Sequence, residues 1–355
     1  MKKKLAVVVP SLRGGGAEKV IINILRNIDK NKFDIKLILV KKEGPYVKLI
    51  PDDILVSDLN KERVRYSLLK LIKELNEFKP DIIFSTLGHL NIALLSIRKL
   101  IKGNPKIIVR EANTPSKSIS SNKRFLTTLY KYFYPKADLI VAQCKEMKDD
   151  IVDIFNIDEK KITYIYNPVD IEGIKNCCKN KNPYNNNKIN LLSVGRLTFQ
   201  KGFDILIDAF NIVLKKIPNA HLTILGEGIL KNDLQKQAEI LGIRENISFV
   251  GFKENPYPYY YYSDVYILSS RWEGFPNTLL EALACGTKVV ATDCKSGPKE
   301  ILAGGKYGVL VNEGDYKSLA DGIIKAIIGE NKTSDRANLF HIKKIIKEYE
   351  KIFLN

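Results

Sequence analysis

Glu273 and Glu281 stand eight positions apart in the run Arg271-Trp-Glu-Gly-Phe-Pro-Asn-Thr-Leu-Leu-Glu281. Two carboxylates at this spacing can act as acid and base, or they can read the hydroxyl groups of a ligand. The apolar run Asp264–Ser270 before them has the composition of a buried strand, and Thr278–Cys285 has that of a helix closed by Gly286. One carboxylate therefore falls in the loop at the carboxyl end of a strand and the other in the first turns of the next helix. That edge of an open parallel sheet is where ligands bind, and a helix amino end there favours anions. Between them lies the turn Gly274–Thr278, where Gly274, Phe275, Asn277 and Thr278 supply backbone amides and Pro276 shapes the turn.

Cations follow the same logic. Gly195-Arg-Leu-Thr-Phe-Gln-Lys-Gly202 comes after another strand-like run, Ile189–Val194. It puts Arg196 and Lys201 where two positive charges can neutralise a diphosphate. Read alone, they are equally two solvated surface cations. The order of residues is neither a Walker A loop nor the G-x-G-x-x-G dinucleotide fingerprint. Ser11-Leu-Arg-Gly-Gly-Gly-Ala-Glu18 opens the chain's first helix, so Gly15 and Gly16 permit close backbone approach to a ligand. Gly226 and Gly228 end a further strand, and Phe252 follows the strand-like Ile247–Val250, where backbone groups can bracket a flat base.

The elements that position these residues alternate. Strand-like runs at Leu5–Val9, Ile35–Val40, Asp81–Phe84, Lys106–Arg110, Asp138–Ala142 and Ile162–Ile165 are separated by helical stretches, clearest at Ala17–Leu25, Leu68–Phe78, Ile92–Ile101 and Lys123–Tyr134. After the polar segment 181–188 the rhythm restarts, through Val309–Val311. With 355 residues, two domains are expected. The expected layout is a first α/β domain over 1–180, a linker over 181–188 and a second α/β domain over 189–335. A final helical segment, 336–355, would cross back toward the first domain. Two doubly wound parallel sheets imply a cleft between them.

Composition narrows the class. No apolar run reaches the length of a membrane span, and the Met-Lys-Lys-Lys start leads directly into a strand, so no signal peptide is expected. Five cysteines without metal-ligand spacing, and three histidines, support neither a zinc site nor a disulfide framework. A reducing cytoplasm is the expected location. The net charge of +17 is uneven: residues 1–185 carry +14 and residues 186–355 carry +3. The first half is thus suited to an anionic partner, whether nucleic acid, anionic lipid or a phosphorylated substrate.

Taken in order, Gly195–Gly202, Gly226–Gly228, Val250–Phe252 and the Glu273/Glu281 pair resemble the retaining glycosyltransferases of family 4. The likeness covers nearly the whole chain when the Gly14–Glu18 loop is included. It implies a GT-B fold, an α/β architecture of two Rossmann-like domains facing across a cleft. Asn255-Pro-Tyr-Pro, Ser270–Thr278 and Asp293–Leu302 are similar to members that build surface polysaccharides and lipid-linked oligosaccharides. The resemblance implies a nucleotide sugar, UDP-linked, as substrate, with no cofactor and no metal. Arg196, Lys201 and Glu273 would be the catalytic group. Arg196 and Lys201 would hold the diphosphate and stabilise the leaving group, Glu281 the ribose and Glu273 the sugar hydroxyls. Gly15, Gly16, Gly195, Gly226, Gly228, Phe252 and the stretch Gly274–Thr278 would complete the donor site.

One departure concerns the first domain. Where many members carry a histidine after the fourth strand, this chain reads Arg110-Glu-Ala-Asn113, similar to a subset using N-acetylhexosamine or galactose donors. Glu111 and Asn113 would then face donor or acceptor, with His89, ending the preceding strand, as a further contact. A lipid-linked glycan acceptor would place the basic, aromatic stretches 61–75 and 123–134 on an anionic membrane face, making the enzyme peripheral to the inner side of the cell membrane. A nucleotide-sugar hydrolase or epimerase on the same fold is the alternative enzyme. A nucleic-acid-binding protein is the alternative of another class, and no recognised nucleic-acid module supports it.

Overall fold

The computed structural model describes residues 1–119, 123–179, 181–184, 187–330 and 335–355, without the side chains of Ser118, Lys123 and Arg124. The chain divides into two compact units, Met1–Pro168 with Ile342–Asn355, and Val169–His341.

Among the described residues, the first unit holds a parallel sheet of β1 (Lys3–Val9), β2 (Phe33–Leu39), β3 (Leu55–Asp58), β4 (Ile82–Thr86), β5 (Lys106–Arg110), β6 (Leu139–Ala142) and β7 (Ile162–Tyr164), in the order β3-β2-β1-β4-β5-β6-β7. Its helices are α1 (Gly16–Asn27), α2 (Leu68–Phe78), α3 (Gly88–Ser96), α4 (Pro115–Ser118), α5 (Lys123–Phe133) and α6 (Lys145–Phe155). Leu5 to Val9 are all buried, an unbroken apolar run rather than an alternating one. That is the mark of a strand covered by helices on both faces. The edge strand β3 escapes a pattern search because Leu55 and Val56 are exposed and the rest of it is polar.

The second unit repeats the plan. Helix α7 (Ile171–Cys178) precedes β8 (Ile189–Val194), α8 (Phe203–Lys216), β9 (Ala220–Leu225), α9 (Lys231–Ile240), β10 (Ile247–Gly251), α10 (Tyr257–Tyr262), β11 (Val265–Leu268), α11 (Asn277–Ala284), β12 (Lys288–Thr292), α12 (Pro298–Ile301), β13 (Val309–Val311) and α13 (Tyr316–Ile328). The parallel strands lie in the order β10-β9-β8-β11-β12-β13. The strand order reverses between β1 and β4 in the first sheet and between β8 and β11 in the second. Crevices outside the carboxyl ends of strands at such reversals are where ligands sit in doubly wound sheets.

The polar segment 181–188 does not separate the units. The chain passes from one to the other at Pro168–Val169, and α7 packs on α10 and α11 within the second unit through its buried face of Ile171, Ile174 and Cys178. The segment's described residues, 181–184 and 187–188, fall inside that unit and are exposed or half-buried, and residues 185 and 186 lie outside the described set. Its polar, turn-forming composition signals exposure, which a loop within a domain shares with a linker. The last helix, α14 (Ile342–Leu354), belongs to the first unit. Ile342, Ile345, Ile346, Tyr349 and Phe353 form its buried stripe at helical spacing. The Phe353 ring centroid lies 5.2 Å from Phe84 on β4 and 6.0 Å from Phe33 on β2.

Candidate active site

In the second unit the loops after β8 and β11, the two strands flanking the reversal, are stitched together. Lys201 Nζ lies 2.6 Å from Glu273 Oε1, and Ser270 Oγ donates to the same oxygen at 2.6 Å. The lysine and glutamate side chains are only 15% and 6% exposed. Ser269 Oγ donates to the Lys201 carbonyl at 2.9 Å, and Gln200 Nε2 to that of Trp272 at 2.9 Å. Arg271 grips Asp204, in the first turn of α8, through two bonds of 2.9 and 2.5 Å, and stacks 3.9 Å over the Phe199 ring. Burial acts to raise the Asp204 pKa, and the Arg271 hydrogen bonds and charge outweigh it, holding the carboxyl below its ordinary range. This scaffold fixes the position of the Lys201–Glu273 pair before any ligand arrives.

Two glycines make the close packing of these loops sterically possible. Gly202 takes a φ of +61°, and a Cβ there would overlap the Ser269 carbonyl; Gly226, at φ +138°, would overlap that of Gly195. Glu281 occupies the second turn of α11 and is 6% exposed. The 274–276 turn ahead of α11 is backed by the loop after β12, where a Cβ on Gly297 would come within 2.8 Å of Pro276 Cδ. Arg196 and Phe252 are exposed. Among the described residues no group of three or more His, Cys, Asp and Glu is placed to hold a metal ion.

The first unit carries a second polar cluster at the ends of β4 and β5. Arg110 is wholly buried, and its guanidinium donates to Tyr349 Oη at 3.1 Å, Thr86 Oγ1 at 3.3 Å and Asn167 Oδ1 at 2.5 Å. Its neighbour Glu111 is 4% exposed and accepts from the Tyr134 hydroxyl. Asn91 Nδ2 donates to the Arg110 carbonyl and to Tyr134 Oη, at 3.0 and 3.1 Å. Burial pushes the Glu111 carboxyl up to about 8, against the opposing pull of Asn91, the Ala112 amide and the Arg110 charge. Leu87, Gly88, His89, Ile92, Glu111 and Tyr130 line a cavity of about 220 Å3. Leu87 holds a φ of +78°, a strained value for a side chain of this kind. A Cβ on Gly88 would overlap the Tyr130 hydroxyl. A larger groove, about 620 Å3, lies among Lys2, Lys4, Lys30, Asp34 and Asp81 at the amino edge of the same sheet, the edge opposite to the one that binds ligands.

The protonation of Glu111 has a measurable consequence. The unfolded chain releases this proton near the ordinary 4.5, whereas the folded chain keeps it to about 8. Between those values the native state binds the extra proton, so this group's contribution to stability is full below about 4.5 and declines as pH rises toward about 8. The slope approaches about 1.4 kcal/mol per pH unit. Glu111→Gln, an uncharged stand-in for the protonated acid, should flatten the decline, seen as denaturant midpoints that are similar near pH 5 and separate toward pH 8 as the wild type falls. Parallel curves would refute the assignment.

Sequence comparison agrees with this architecture. The family model described as Glycosyltransferase Family 4 matches residues 14–172, and that described as Glycosyl transferases group 1 matches residues 177–339. An uncharacterized glycosyltransferase of Methanocaldococcus jannaschii, MJ1059, is 34% identical over 80% of this chain and 81% of its own. The chain belongs to the family 4 glycosyltransferases. A Campylobacter jejuni relative is 31% identical over 99% of this chain and 100% of its own. It is the N-acetylgalactosamine-N,N'-diacetylbacillosaminyl-diphospho-undecaprenol 4-alpha-N-acetylgalactosaminyltransferase. Anabaena Alr3699/HepE, solved in complex with UDP-glucose, superposes with a TM-score of 0.82 at 20% identity over 99% of each chain. The fold is GT-B.

Within this glycosyltransferase the residues singled out from sequence fall on two separate units. Gly195, Arg196, Lys201, Gly226, Gly228, Phe252, Glu273, the 274–278 stretch and Glu281 are all on carboxyl-edge loops or helix starts of the second sheet. Gly15 caps α1 and Gly16 begins it, at the carboxyl end of β1. A Cβ on Gly15 would overlap the Glu18 carboxylate, so that side chain folds back over its own helix start. His89 does not end a strand. Strand β4 stops at Thr86, and His89 is the second residue of α3, because the turn at Leu87 starts the helix four residues before the apolar pattern shows it. Burial lowers the His89 pKa. Sequence reasoning did not find the Lys201–Glu273 bond, the Arg271–Asp204 clamp or the pairing of Tyr134 with Glu111. Each joins residues far apart in the chain. Among the described residues no helix is long and apolar enough to cross a membrane.

Proposed function

We infer that the protein is a retaining, metal-independent hexosyl- or N-acetylhexosaminyltransferase. It would use a UDP-sugar and extend a lipid-linked or polysaccharide acceptor in cell-envelope glycan synthesis. The observation that carries this reading is the Lys201–Glu273 pair, 2.6 Å apart at the reversal of the second sheet and next to the amino end of α11. In the proposed donor complex Lys201 and Arg196 neutralise the diphosphate as the bond to the sugar breaks, an electrostatic contribution made where charge develops. Glu273 hydrogen-bonds the sugar hydroxyls, and the amides of Gly274, Phe275, Pro276's neighbour Asn277 and Thr278 line the sugar and phosphate. Glu281 takes the ribose hydroxyls. Gly195, Gly226, Gly228 and Phe252 wall the nucleotide, and Gly15 and Gly16 take part in donor binding. Attack and departure occur on one face of the sugar, and the leaving phosphate oxygen takes the acceptor's proton. His89, Glu111 and Asn113 contact donor or acceptor.

Two relatives support the substrate classes. HepE is solved with UDP-glucose, and the Campylobacter enzyme is named for a diphospho-undecaprenol-linked acceptor and an N-acetylgalactosaminyl transfer. The uneven charge of the chain supports an anionic membrane face near the first domain. Of its basic stretches, the side chains of Lys123 and Arg124 lie outside the described residues.

A panel of UDP- and GDP-sugars, read by calorimetry and by the anomeric configuration of the product, tests the reading directly. Tight binding of a GDP-sugar alone, or an inverted product, would overturn it. Glu281→Ala should weaken UDP binding by about 10- to 100-fold, as expected when a hydrogen bond to a charged group is lost, and raise KM more than it lowers kcat. An unchanged UDP affinity would remove Glu281 from the nucleotide site.

A further inference from the structure

Cys178 ends α7 and Cys285 follows the last residue of α11, and their Sγ atoms are 3.3 Å apart, one thiol donating to the other's sulfur. Among the described residues none of the five cysteines is in a disulfide. A disulfide bond is about 2.05 Å long, so the two sulfurs need approach by little more than 1 Å, within reach of side-chain rotation at two helix ends. The other thiols are differently placed. Cys144 and Cys294 are 0% and 1% exposed and sealed in cores, whereas Cys177 and Cys285 are both partly exposed. We propose that Cys178 and Cys285 are a thiol–disulfide modification site, closed by a peroxide oxidant, that staples α7 to α11.

The chemistry balances with one peroxide. The partly exposed Cys285 attacks the peroxide, its sulfur taking one oxygen as sulfenic acid while the other oxygen leaves as water. The Cys178 thiolate then attacks that sulfur, the S–S bond forms, the S–O bond breaks, and the hydroxyl departs with a proton as a second water. Two thiols lose two electrons and two protons, and one hydrogen peroxide becomes two waters. The hydrogen bond from Cys285 favours the Cys178 thiolate, burial opposing it, and lowers that thiol's pKa, which suits Cys178 to the second step. The bond would join positions 107 apart in sequence. It would also bear on the helix that carries Glu281, because the Cys285 amide donates to the Glu281 carbonyl at 2.9 Å.

The test uses the full chain, treated with hydrogen peroxide, digested without reductant and mapped by mass spectrometry. The expected product is a Cys178–Cys285 cross-linked peptide short of two hydrogens, with Cys144 and Cys294 still reduced. The oxidised protein should melt roughly 5–15 °C higher than the reduced one. Dithiothreitol should reverse the rise, and Cys285→Ser should lack it. Mapping of the wild-type protein decides the matter even if the serine variant folds poorly. A cross-link through Cys177, sulfinic acid at either residue without a cross-link, or both thiols remaining reduced while Cys177 is oxidised would each overturn the proposal.

Discussion

Lys201→Ala is expected to lower sugar transfer by about 10²- to 10³-fold, the range found when one electrostatic stabiliser of a developing charge is removed. The lysine sits at the reversal of the second sheet and is bonded to Glu273, with both side chains largely buried. On the proposed donor-site reading its removal subtracts positive charge from the leaving group, and it also takes one bonded partner from the Glu273 carboxylate. Glu273 keeps the Ser270 hydroxyl, and the Arg271–Asp204 clamp still closes the loop. The fold should therefore survive, with a melting temperature lowered by a few degrees. The loss should fall mainly on kcat, because the charge develops in the transition state. Steady-state kinetics with a donor identified from the nucleotide-sugar panel would check this. Transfer at the wild-type rate by a folded Lys201→Ala protein would end the donor-site assignment.

Phe353→Ala should destabilise the first unit by about 3–5 kcal/mol, the usual range for truncating a buried aromatic. Phe353 is 1% exposed and touches rings from two strands, Phe33 and Phe84, as well as Tyr349 one turn away. Truncation removes apolar contact area and leaves a void that strands β2 and β4, held in a parallel ladder on either side of β1, cannot close. Denaturant unfolding of the variant should show an earlier transition for the first unit and an unchanged one for the second. Lys351→Ala, on the exposed face of the same helix, should shift neither. Equal stability of Phe353→Ala and the parent would mean that α14 is not part of that core.

The places where sequence reasoning succeeded share a physical cause. Strands β5 and β8 have the bounds their apolar runs suggested, because a strand covered on both faces needs a continuous apolar segment. The positions of the 195–202 and 273–281 loops were legible because each follows an apolar strand run and leads into a helical one. Errors came where local composition has two meanings. The units divide at Pro168–Val169 rather than at the polar 181–188 stretch, and an exposed edge strand such as β3 has no apolar pattern to find. Arg110 shows the same limit. In sequence it is one more cation of a basic half, and in the fold it is a buried hub joining β5, Asn167 and α14.

For the glutamates, the sequence alone determined that both lie at the carboxyl edge of the second sheet, since strand, turn and helix are encoded locally. It also determined the tandem α/β plan and the family. Only the tertiary structure decided that Glu273 is bonded to Lys201, 72 positions away in the chain, and that Glu111 is enclosed so fully that it holds its proton toward about 8. It likewise decided which rings of the first core α14 meets, Phe84 on β4 and Phe33 on β2. The reason is physical. Periodicity and turn chemistry act over a few residues, whereas partner choice and desolvation depend on which distant segments the packed sheets bring together.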